Sequence, residues 1–254
     1  MRVLSLGQAS RLRLYTNKRT GMEISSYSME GEDVILASLF RNVDKGNFFD
    51  IGSSEPIWNS NTYFFYKKGW RGVAVDGRDL SVEWEKTRPG DKFVRSLLGD
   101  SNGGAMDYWI FPDPTMNTVD VDTGIRYAAR FPSSDVEQTK VLIQRAYDVY
   151  QENYGGKVGS EVSPPHFVSI DVEGFEISVL RGLLEPNPEW RPAALVVEAK
   201  LFNFSKPLEN DVADYLINTH AYSLIAKTPL NAFFIDPLNP LFGWLPTSML
   251  QNSR

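Results

Sequence analysis

Acidic residues recur at the ends of short apolar segments in this chain of 254 residues. Each segment reads as a buried strand of four to six residues, and the acid lies at its carboxyl end or just beyond it. The positions that share this arrangement are Asp50 with Gly52, Asp76, Asp100, Asp171 and Glu198. Ligands of open α/β sheets bind outside the carboxyl ends of the strands, so we expect these side chains to gather at one ligand site.

The first two acidic positions predict an adenosine site. Phe48–Ile51 is an apolar strand, and Gly52 allows a tight turn in which backbone amides approach a ligand. Asp76 follows the next apolar run, 24 residues beyond Gly52. A strand, a glycine turn, a helix, a strand and then an acid for the ribose hydroxyls is the order in which open α/β sheets hold an adenosine.

The residues after Gly52 favour one adenosine cofactor over another. Ser53, Ser54, Glu55 and Pro56 follow it, whereas dinucleotide sites carry further glycines that let the backbone approach a pyrophosphate. Glu55 would also repel a pyrophosphate, while several carboxylates suit a cation. S-adenosylmethionine carries a sulfonium and an ammonium group and has no phosphate, so it is the preferred cofactor. An NAD-dependent Rossmann oxidoreductase and a catalytically inactive Rossmann-like adaptor remain alternatives.

Composition narrows the partners. The net charge of −6 argues against nucleic acid as the main ligand, and zero cysteines exclude disulfides and thiolate chemistry. No apolar run approaches the length of a membrane span, so we expect a cytoplasmic protein without membrane contact, and a homo-oligomer stays open. The first 20 residues carry five basic and no acidic side chains. We therefore expect a basic N-terminal arm over residues 1–25 and a single domain over residues 26–254.

The order of the apolar segments predicts the fold. Strands alternate with helices up to a third strand at Lys92–Leu98, and the alternation resumes at Phe167. We interpret residues 101–165 as an insertion or lid over the acceptor site, with a long helix from Ser134 to Tyr154. The last two strands are joined by a short connection and form an antiparallel hairpin. The expected fold is a Rossmann-like α/β sheet of seven strands, the last antiparallel, with helices on both faces and an insertion before the fourth strand.

Short motifs occur in order between Ser28 and Lys200. They are Ser28–Asp33, Phe49–Gly52, Ser60–Thr62, Gly69–Trp70 with Gly72, Asp76, Gly99–Asp100, Ser169–Glu176 and Leu180–Gly182. In these motifs the chain resembles the FkbM family of methyltransferases, and the block Ile170–Gly174 is the most specific of them. The long segment before that block and the missing second small residue after Gly52 depart from the family pattern. The resemblance implies a class I methyltransferase fold and O-methylation of a small sugar-like or natural-product acceptor.

We assign cofactor contacts to the strand ends and the turns that follow them. Gly52, Ser53 and Ser54 are expected at the methionine part, and Asp76 at the ribose, with Gly77 and Arg78 beside the adenine. Gly99 and Asp100 would complete the adenine pocket, although Asp100 could instead be a turn residue in Asp100–Gly103. Asn61 either reaches the cofactor or caps a helix. The full expected set is Asp50, Gly52, Ser53, Ser54, Asn61, Asp76, Gly77, Arg78, Gly99, Asp100 and Asp171.

Methyl transfer needs positioning and removal of the acceptor proton. The two histidines, His166 and His220, each precede a strand and therefore lie at the opposite edge of the sheet. We expect Asp171 to be the base, with Glu173 and Glu198 supporting it.

Two other roles remain for these acids. Asp171, Glu173 and Glu198 could hold a hard divalent cation, an alternative that their irregular spacing does not favour. Glu173 could instead cap the following helix, and Glu198 could pair with Lys200.

Overall fold

The computed structural model describes residues 13–17, 22–154 and 162–250. The strands of this part are β1 Arg13–Asn17, β2 Met22–Ser26, β3 Asn47–Ile51, β4 Arg71–Asp76, β5 Lys92–Arg95, β6 Leu97–Gly99, β7 Ala105–Ile110, β8 Glu137–Arg145, β9 Phe167–Ile170, β10 Ala194–Glu198, β11 Ser223–Lys227 and β12 Asn231–Ile235. Its α-helices are α1 Glu32–Leu39, α2 Tyr63–Lys67, α3 Ser81–Thr87, α4 Val121–Ala128, α5 Ala146–Asn153, α6 Glu176–Leu184, α7 Asp211–Asp214 and α8 Thr247–Leu250. None of the helices in these ranges is both long and apolar enough to cross a membrane.

Seven strands form the central sheet in the order β11-β12-β10-β9-β3-β4-β5. The run from β10 to β5 is parallel, and β12 is antiparallel to both of its neighbours. Every residue of β3, β9, β10 and β12 is buried. Strands buried throughout must be covered on both faces, which explains their nearly continuous apolar sequences. The predicted seven-stranded α/β fold is confirmed.

Two apolar cores cover the faces of this sheet. Successive side chains of a strand point to opposite faces, and the adjacent Phe48 and Phe49 of β3 accordingly belong to different cores. Phe49 packs in the core that includes residues of α5 and α6, and Phe48 in the core that includes residues of α1 and α2. The sheet is therefore held rigidly, and its carboxyl edge is a fixed platform for a site.

The third strand was predicted to be longer than it is. β5 ends at Arg95, and β6 belongs to a separate sheet with the order β6-β8-β7. Ser96 lies between the two strands, and its hydroxyl hydrogen-bonds the carbonyl oxygen of Leu142 at 3.1 Å. The chain therefore leaves the central sheet three residues earlier than the apolar pattern suggested.

The predicted helix from Ser134 to Tyr154 is wrong in its first half. Residues 137–145 form β8, which pairs with β7 in antiparallel register. Val141 and Ile143 are buried while Lys140 and Leu142 are exposed, so burial follows the period of two that belongs to a strand. The helix α5 occupies only Ala146–Asn153. The sequence pattern misleads here because Val141 and Ile143, which lie on one face of β8, also fit among the apolar positions of a helix.

Ser28 lies beside the start of the first helix of the domain. α1 begins at Glu32, and the Ser28 hydroxyl accepts hydrogen bonds from the amides of Gly31 at 3.1 Å and Asp33 at 3.3 Å. Of the basic arm, the structure describes β1 and β2, which pair with each other in antiparallel register. The arm's other basic residues, Arg2, Arg11, Lys18 and Arg19, lie outside the described residues.

Candidate active site

A cavity runs along the carboxyl edge of the central sheet. It is lined by Met29, Glu32, Ile51, Gly52, Ser54, Asn59, Asn61, Val75, Asp76, Gly77, Ser96, Leu97, Leu98, Tyr108, Pro114, Thr115, Asn117, Val119, Asp171, Val172, Glu173, Phe175, Glu198, Lys200, Leu230 and Asn231. The ends of β3, β4, β9 and β10 contribute to it, and so does the first residue of the reversed strand β12. The parallel topology is therefore what brings these distant parts of the sequence together.

The turn after β3 needs the glycine that the sequence places there. Gly52 has φ of +77°, and a Cβ at this position would lie 1.8 Å from the carbonyl oxygen of Asp171. The Gly52 amide donates to the carbonyl of Val75 at 2.9 Å, which ties the turn to β4. A side chain at residue 52 would push β3 and β9 apart, so the close approach of the two strand ends depends on this glycine.

Asp76 organises the two turns on either side of it. Its Oδ2 accepts from the Ser54 amide at 2.9 Å, and its Oδ1 accepts from the Arg78 amide at 2.8 Å. The Arg78 guanidinium donates to the Ser54 hydroxyl at 2.8 Å, which closes the ring of contacts. Ser54 itself has φ of +49°, a conformation that these bonds hold in place. Asp76 thus fixes the loop after β3 while its carboxylate faces the cavity.

The three predicted catalytic acids meet in one cluster. Asp171, Glu173 and Glu198 each bring a carboxylate oxygen within 4.8 Å of the others. Lys200 bridges two of them, with Nζ 2.6 Å from Glu173 Oε2 and 2.8 Å from Glu198 Oε1. The expected Glu198–Lys200 pair is confirmed. A cation bound by the three acids would have to compete with this ammonium group.

The surrounding charges shift several pKa values in this cluster. Burial by the surrounding protein raises the pKa of Asp171 well above its ordinary value, and the charges of Glu198 and Glu173 raise it further. The side chain is nevertheless exposed to solvent in the cavity. Burial and the charge of Glu173 raise the pKa of Glu198 to about 7. Burial lowers the pKa of Lys200, but its bonds to Glu173 and Glu198 outweigh this and raise it overall. The cluster therefore favours protons or another positive charge.

Glu173 is held by groups from both sides of the cavity rim. Its Oε2 accepts from the Tyr127 hydroxyl at 2.8 Å, and Tyr127 comes from α4 of the inserted segment. The backbone of Glu173 has φ of +54°, which is uncommon for a residue with a side chain. Glu173 does not cap the next helix, because α6 has Phe175 as its N-cap without a side-chain bond and the Glu173 carboxylate contacts Tyr127 and Lys200. Glu173 is free of that role and remains part of the cluster.

The structure brings most of the expected site residues to the cavity. Those that line it are Gly52, Ser54, Asn61, Asp76, Gly77, Asp171, Glu173 and Glu198, and those that do not are Asp50, Ser53, Arg78, Gly99 and Asp100. Asn61 donates to the Ser169 hydroxyl at 3.0 Å, while the hydroxyl of Ser60 accepts from the first amides of α2. The alternative that Asn61 caps the helix is therefore wrong.

Asp50 lies beneath the site and not in it. Its side chain is 4% exposed and accepts a hydrogen bond of 2.6 Å from the Thr62 hydroxyl. Arg88 donates to the same hydroxyl at 3.0 Å, and burial raises the pKa of Asp50. Asp50 therefore anchors the loop above it. Ser53 is buried within this loop, and Arg78 contacts Asp76 and Ser54.

Gly99 and Asp100 are displaced by the early end of β5. Gly99 packs against α6, where a Cβ on Gly182 would lie 1.7 Å from the Gly99 carbonyl oxygen. Asp100 is exposed and accepts from the Ser101 hydroxyl at 3.0 Å, which fits the alternative that it is a turn residue. Ser96 and Leu97 line the cavity in their place.

Several residues that line the cavity carry no signal in the sequence. Tyr108 and Asn117 come from the inserted segment, and a Cβ on Gly77 would lie 2.7 Å from the Tyr108 ring. No motif marked either residue. Glu32 was visible within the Ser28–Asp33 motif, but its partner Asn231 lies 199 residues away and carried no signal.

The histidines lie away from the cavity, as expected. The His166 ring pairs with the side chain of Asn47, the first residue of β3, at the amino edge of the sheet. His220 contacts the ring of Tyr215, with 4.7 Å between the ring centroids. The carboxylate cluster and Lys200, in contrast, line the cavity.

The fold and the cavity together define a Rossmann-like α/β protein with an acidic ligand site at the carboxyl edge of its sheet. Residues 50–224 match the family model described as the methyltransferase FkbM domain. The chain therefore belongs to the FkbM methyltransferase family, which supports an enzyme that transfers methyl groups.

Comparisons with individual proteins add little to this. No curated protein matches the chain. The crystal structure of methyltransferase FkbM from Methylobacillus flagellatus KT is similar over 75% of this chain and 44% of that chain, with 15% sequence identity and a TM-score of 0.45. The present chain thus spans less than half the length of that protein.

Proposed function

We propose that this protein is an S-adenosylmethionine-dependent O-methyltransferase that acts on a small sugar-like or natural-product hydroxyl. The observation that carries the proposal is the single cavity that Gly52, Asp76 and Asp171 line at adjacent strand ends. An acid for a ribose after β4, a glycine turn after β3 and an acidic cluster for a cation after β9 follow each other along it. Membership of the FkbM family supports methyl transfer as the chemistry.

The residues present fit this cofactor. Gly52 keeps the turn free of a side chain. Asp76 accepts hydrogen bonds from two backbone amides, and its carboxylate oxygens have further lone pairs that can accept from ribose hydroxyls. The cluster holds three carboxylates, Asp171, Glu173 and Glu198, against the single ammonium group of Lys200. Its excess of acidic groups complements a sulfonium and an ammonium group. When bound, the cofactor supplies an electrophilic methyl group whose transfer leaves a neutral sulfide.

Asp171 is the proposed base. It follows β9 in the middle of the edge, and its carboxylate lies in the cavity next to Glu198. The acceptor hydroxyl would pass its proton to Asp171 as its oxygen takes the methyl group. A positive charge bound beside Asp171 opposes the pKa rise that burial and the acidic neighbours cause, so a filled site favours the ionised base. Lys200 holds Glu173 and Glu198 in place around it.

The inserted segment would enclose the bound cofactor. Tyr108 lies against Gly77, at the end of the cavity where we place the adenine, and Asn117 and Val119 line the same region. Burial raises the pKa of Tyr108, so its hydroxyl stays neutral near an adenine ring. Through Tyr127 the segment also contacts Glu173 at the reacting centre. We therefore propose that the inserted segment, residues 101–165, covers the cofactor as well as the acceptor.

Calorimetry with three ligands tests the proposal. S-adenosylmethionine and S-adenosylhomocysteine should both bind, and NAD should not, because the acidic turn offers no place for a pyrophosphate. Transfer of a labelled methyl group to a panel of hydroxylated compounds then tests the chemistry. Binding of NAD alone would support the oxidoreductase, and no binding of any of the three would support the inactive adaptor; either result contradicts the proposal.

A further inference from the structure

The Ser28–Asp33 motif lies outside the region that we assign to the cofactor, yet it reaches the cavity through Glu32. The Glu32 side chain is fully buried, and its Oε1 accepts from the Thr228 hydroxyl at 3.2 Å and from Asn231 Nδ2 at 3.1 Å. Its Oε2 accepts from the Glu30 amide at 2.9 Å. These bonds join the start of α1 to the hairpin of β11 and β12.

The sheet order places this contact at the far end of the cavity from the proposed adenosine. Asn231 is the register partner of Glu198, and the strands from there to Asp76 are β12, β10, β9, β3 and β4. Neighbouring strands lie about 4.8 Å apart, so Asn231 is separated from Asp76 by about 19 Å and from the strand before Asp171 by about 10 Å. A cofactor that extends from Asp76 to Asp171 leaves the Asn231 end for the acceptor.

The chemistry of this end is set by Glu32. A carboxylate accepts hydrogen bonds and a carboxamide can do both, so Asn231 turns its NH₂ group toward Glu32 and its Oδ1 to the other side. Glu32 thus orients the Asn231 carboxamide, which lines the cavity. Asn59 adds a second carboxamide, since its neighbour Ser60 donates to the Tyr27 carbonyl at 3.0 Å just before the Ser28–Asp33 motif, and Met29 and Leu230 add apolar surface. Carboxamides with an apolar wall suit a ring that carries several hydroxyls.

We propose that the Asn231 end binds a second hydroxyl of a sugar ring whose methylated hydroxyl lies at Asp171. Two strand spacings, about 10 Å, are a span that one sugar ring and two side chains fill. The inference rests on the proposed function, since it assigns the acceptor half of the same cavity. It gives the Ser28–Asp33 motif a role in acceptor specificity.

Saturation-transfer NMR on the protein saturated with S-adenosylhomocysteine tests the inference. The probes are the methyl glycosides of glucose, galactose, mannose and rhamnose, with cyclohexanol as a ring that has one hydroxyl. At least one glycoside should bind at least tenfold more tightly than cyclohexanol. Absence of signal from all four glycosides would overturn the inference.

Matched variants locate the binding. Asn231→Ala and Glu32→Gln should weaken glycoside binding at least tenfold and change the affinity for S-adenosylhomocysteine less than twofold. Asn59→Gly should weaken it at least threefold, and it keeps the fold because glycine adopts the φ of +54° found at this residue. Glu30→Gln is the control, since Glu30 binds the amide of Leu230 at 2.9 Å and does not line the cavity.

The outcomes separate the two proposals. Failure of the wild-type protein to bind S-adenosylhomocysteine counts against the proposed function. Normal binding of S-adenosylhomocysteine with glycoside binding unchanged in Asn231→Ala and Asn59→Gly overturns the acceptor assignment alone. Where Asn231→Ala or Glu32→Gln does not fold, Asn59→Gly against Glu30→Gln decides the question.

Discussion

Asp171 lies among three other carboxylates and a single ammonium group. Burial raises its pKa most, the charges of Glu198, Glu173 and Glu176 raise it further, and Lys200 opposes them. The arrangement disfavours the ionised form of Asp171, and a positive ligand would favour it. A residue in this environment is a candidate for proton transfer at neutral pH.

Replacing Asp171 tests this role directly. Asp171→Asn keeps the size of the side chain and removes its capacity to take a proton, so turnover of an accepted hydroxyl compound should fall by about 10²–10⁴-fold. Steady-state methyl transfer measures the effect. Asp100→Asn is the control, because Asp100 is exposed outside the cavity and its loss should leave turnover unchanged. Full turnover by Asp171→Asn would contradict the assignment.

Glu198 predicts a dependence of stability on pH. Its pKa is raised to about 7 in the folded protein from an ordinary value near 4.5, so protonation favours the folded state. This contribution is complete below pH about 4.5 and is lost as the pH rises through about 7. Relative to the wild type, Glu198→Gln should therefore gain up to about 3 kcal/mol of unfolding free energy between pH 4 and pH 8.

Denaturant titrations across this pH range measure the difference. Glu209→Gln is the control, since Glu209 is exposed and pairs with exposed Lys206 at the surface. A pH-independent difference between Glu198→Gln and the wild type would show that Glu198 ionises normally in the folded protein.

At the scale of elements, the loop from Gly52 to Thr62 is fixed from below and from both sides. Asp76 holds its start, and the buried side chains of Asp50 and Arg88 hold its end through Thr62. Arg88 also donates to the carbonyl of Pro56 at 3.2 Å. The backbone that we propose to face the methionine part is therefore ordered before a ligand binds.

Gly52→Ala should damage this loop. The added Cβ would lie 1.8 Å from the Asp171 carbonyl oxygen, and the alanine would have to adopt the unfavourable φ of +77°. We therefore expect a loss of about 3–5 kcal/mol in unfolding free energy. Binding of S-adenosylmethionine should be lost with it. Gly104→Ala is the matched control, because a Cβ there meets nothing within 4 Å. Thermal unfolding and calorimetry measure both effects.

The ion pair of Arg88 and Asp91 offers a second test of the loop's support. Both side chains are fully buried and 2.6 Å apart, so Arg88→Met leaves a buried carboxylate without its partner. We expect a loss of about 3–5 kcal/mol in unfolding free energy. Lys140→Met breaks the exposed Lys140–Asp107 pair at 2.8 Å and should cost about 0–1 kcal/mol. Equal effects of the two substitutions would show that the buried pair does not support the loop.

The elements that the sequence predicted well are those with a strong local pattern. The strand predicted at Phe48–Ile51 is nearly all apolar, and the structure has it at Asn47–Ile51. β8 was missed because its exposed face carries Leu142, which hides the alternation that marks a strand. Asp50 and Asp76 both end apolar runs, and only the packing of the loop decides that the first is buried and the second faces the cavity.

At the scale of the molecule, the cavity collects negative side chains in a chain whose net charge is already −6. A cation that binds there lowers the pKa values of Asp171 and Glu198, and Glu198, whose pKa is about 7 before binding, loses protons as a result. Binding of S-adenosylmethionine between pH 6 and 7 should therefore release protons. Calorimetry in buffers of different ionisation enthalpy measures the number released, and Glu198→Gln should reduce it. Proton-neutral binding by the wild type would show that the acids are already ionised.

The bond between Glu32 and Asn231 joins residues that are 199 positions apart. At roughly 5–20 residues per second, a ribosome adds the second partner roughly 10–40 s after the first. Over that interval the apolar strands between them have been synthesised, but the hairpin of β11 and β12 that completes the sheet has not. During synthesis, the nascent polypeptide is therefore exposed to aggregation, and a chaperone that shields these strands would raise the yield of active protein.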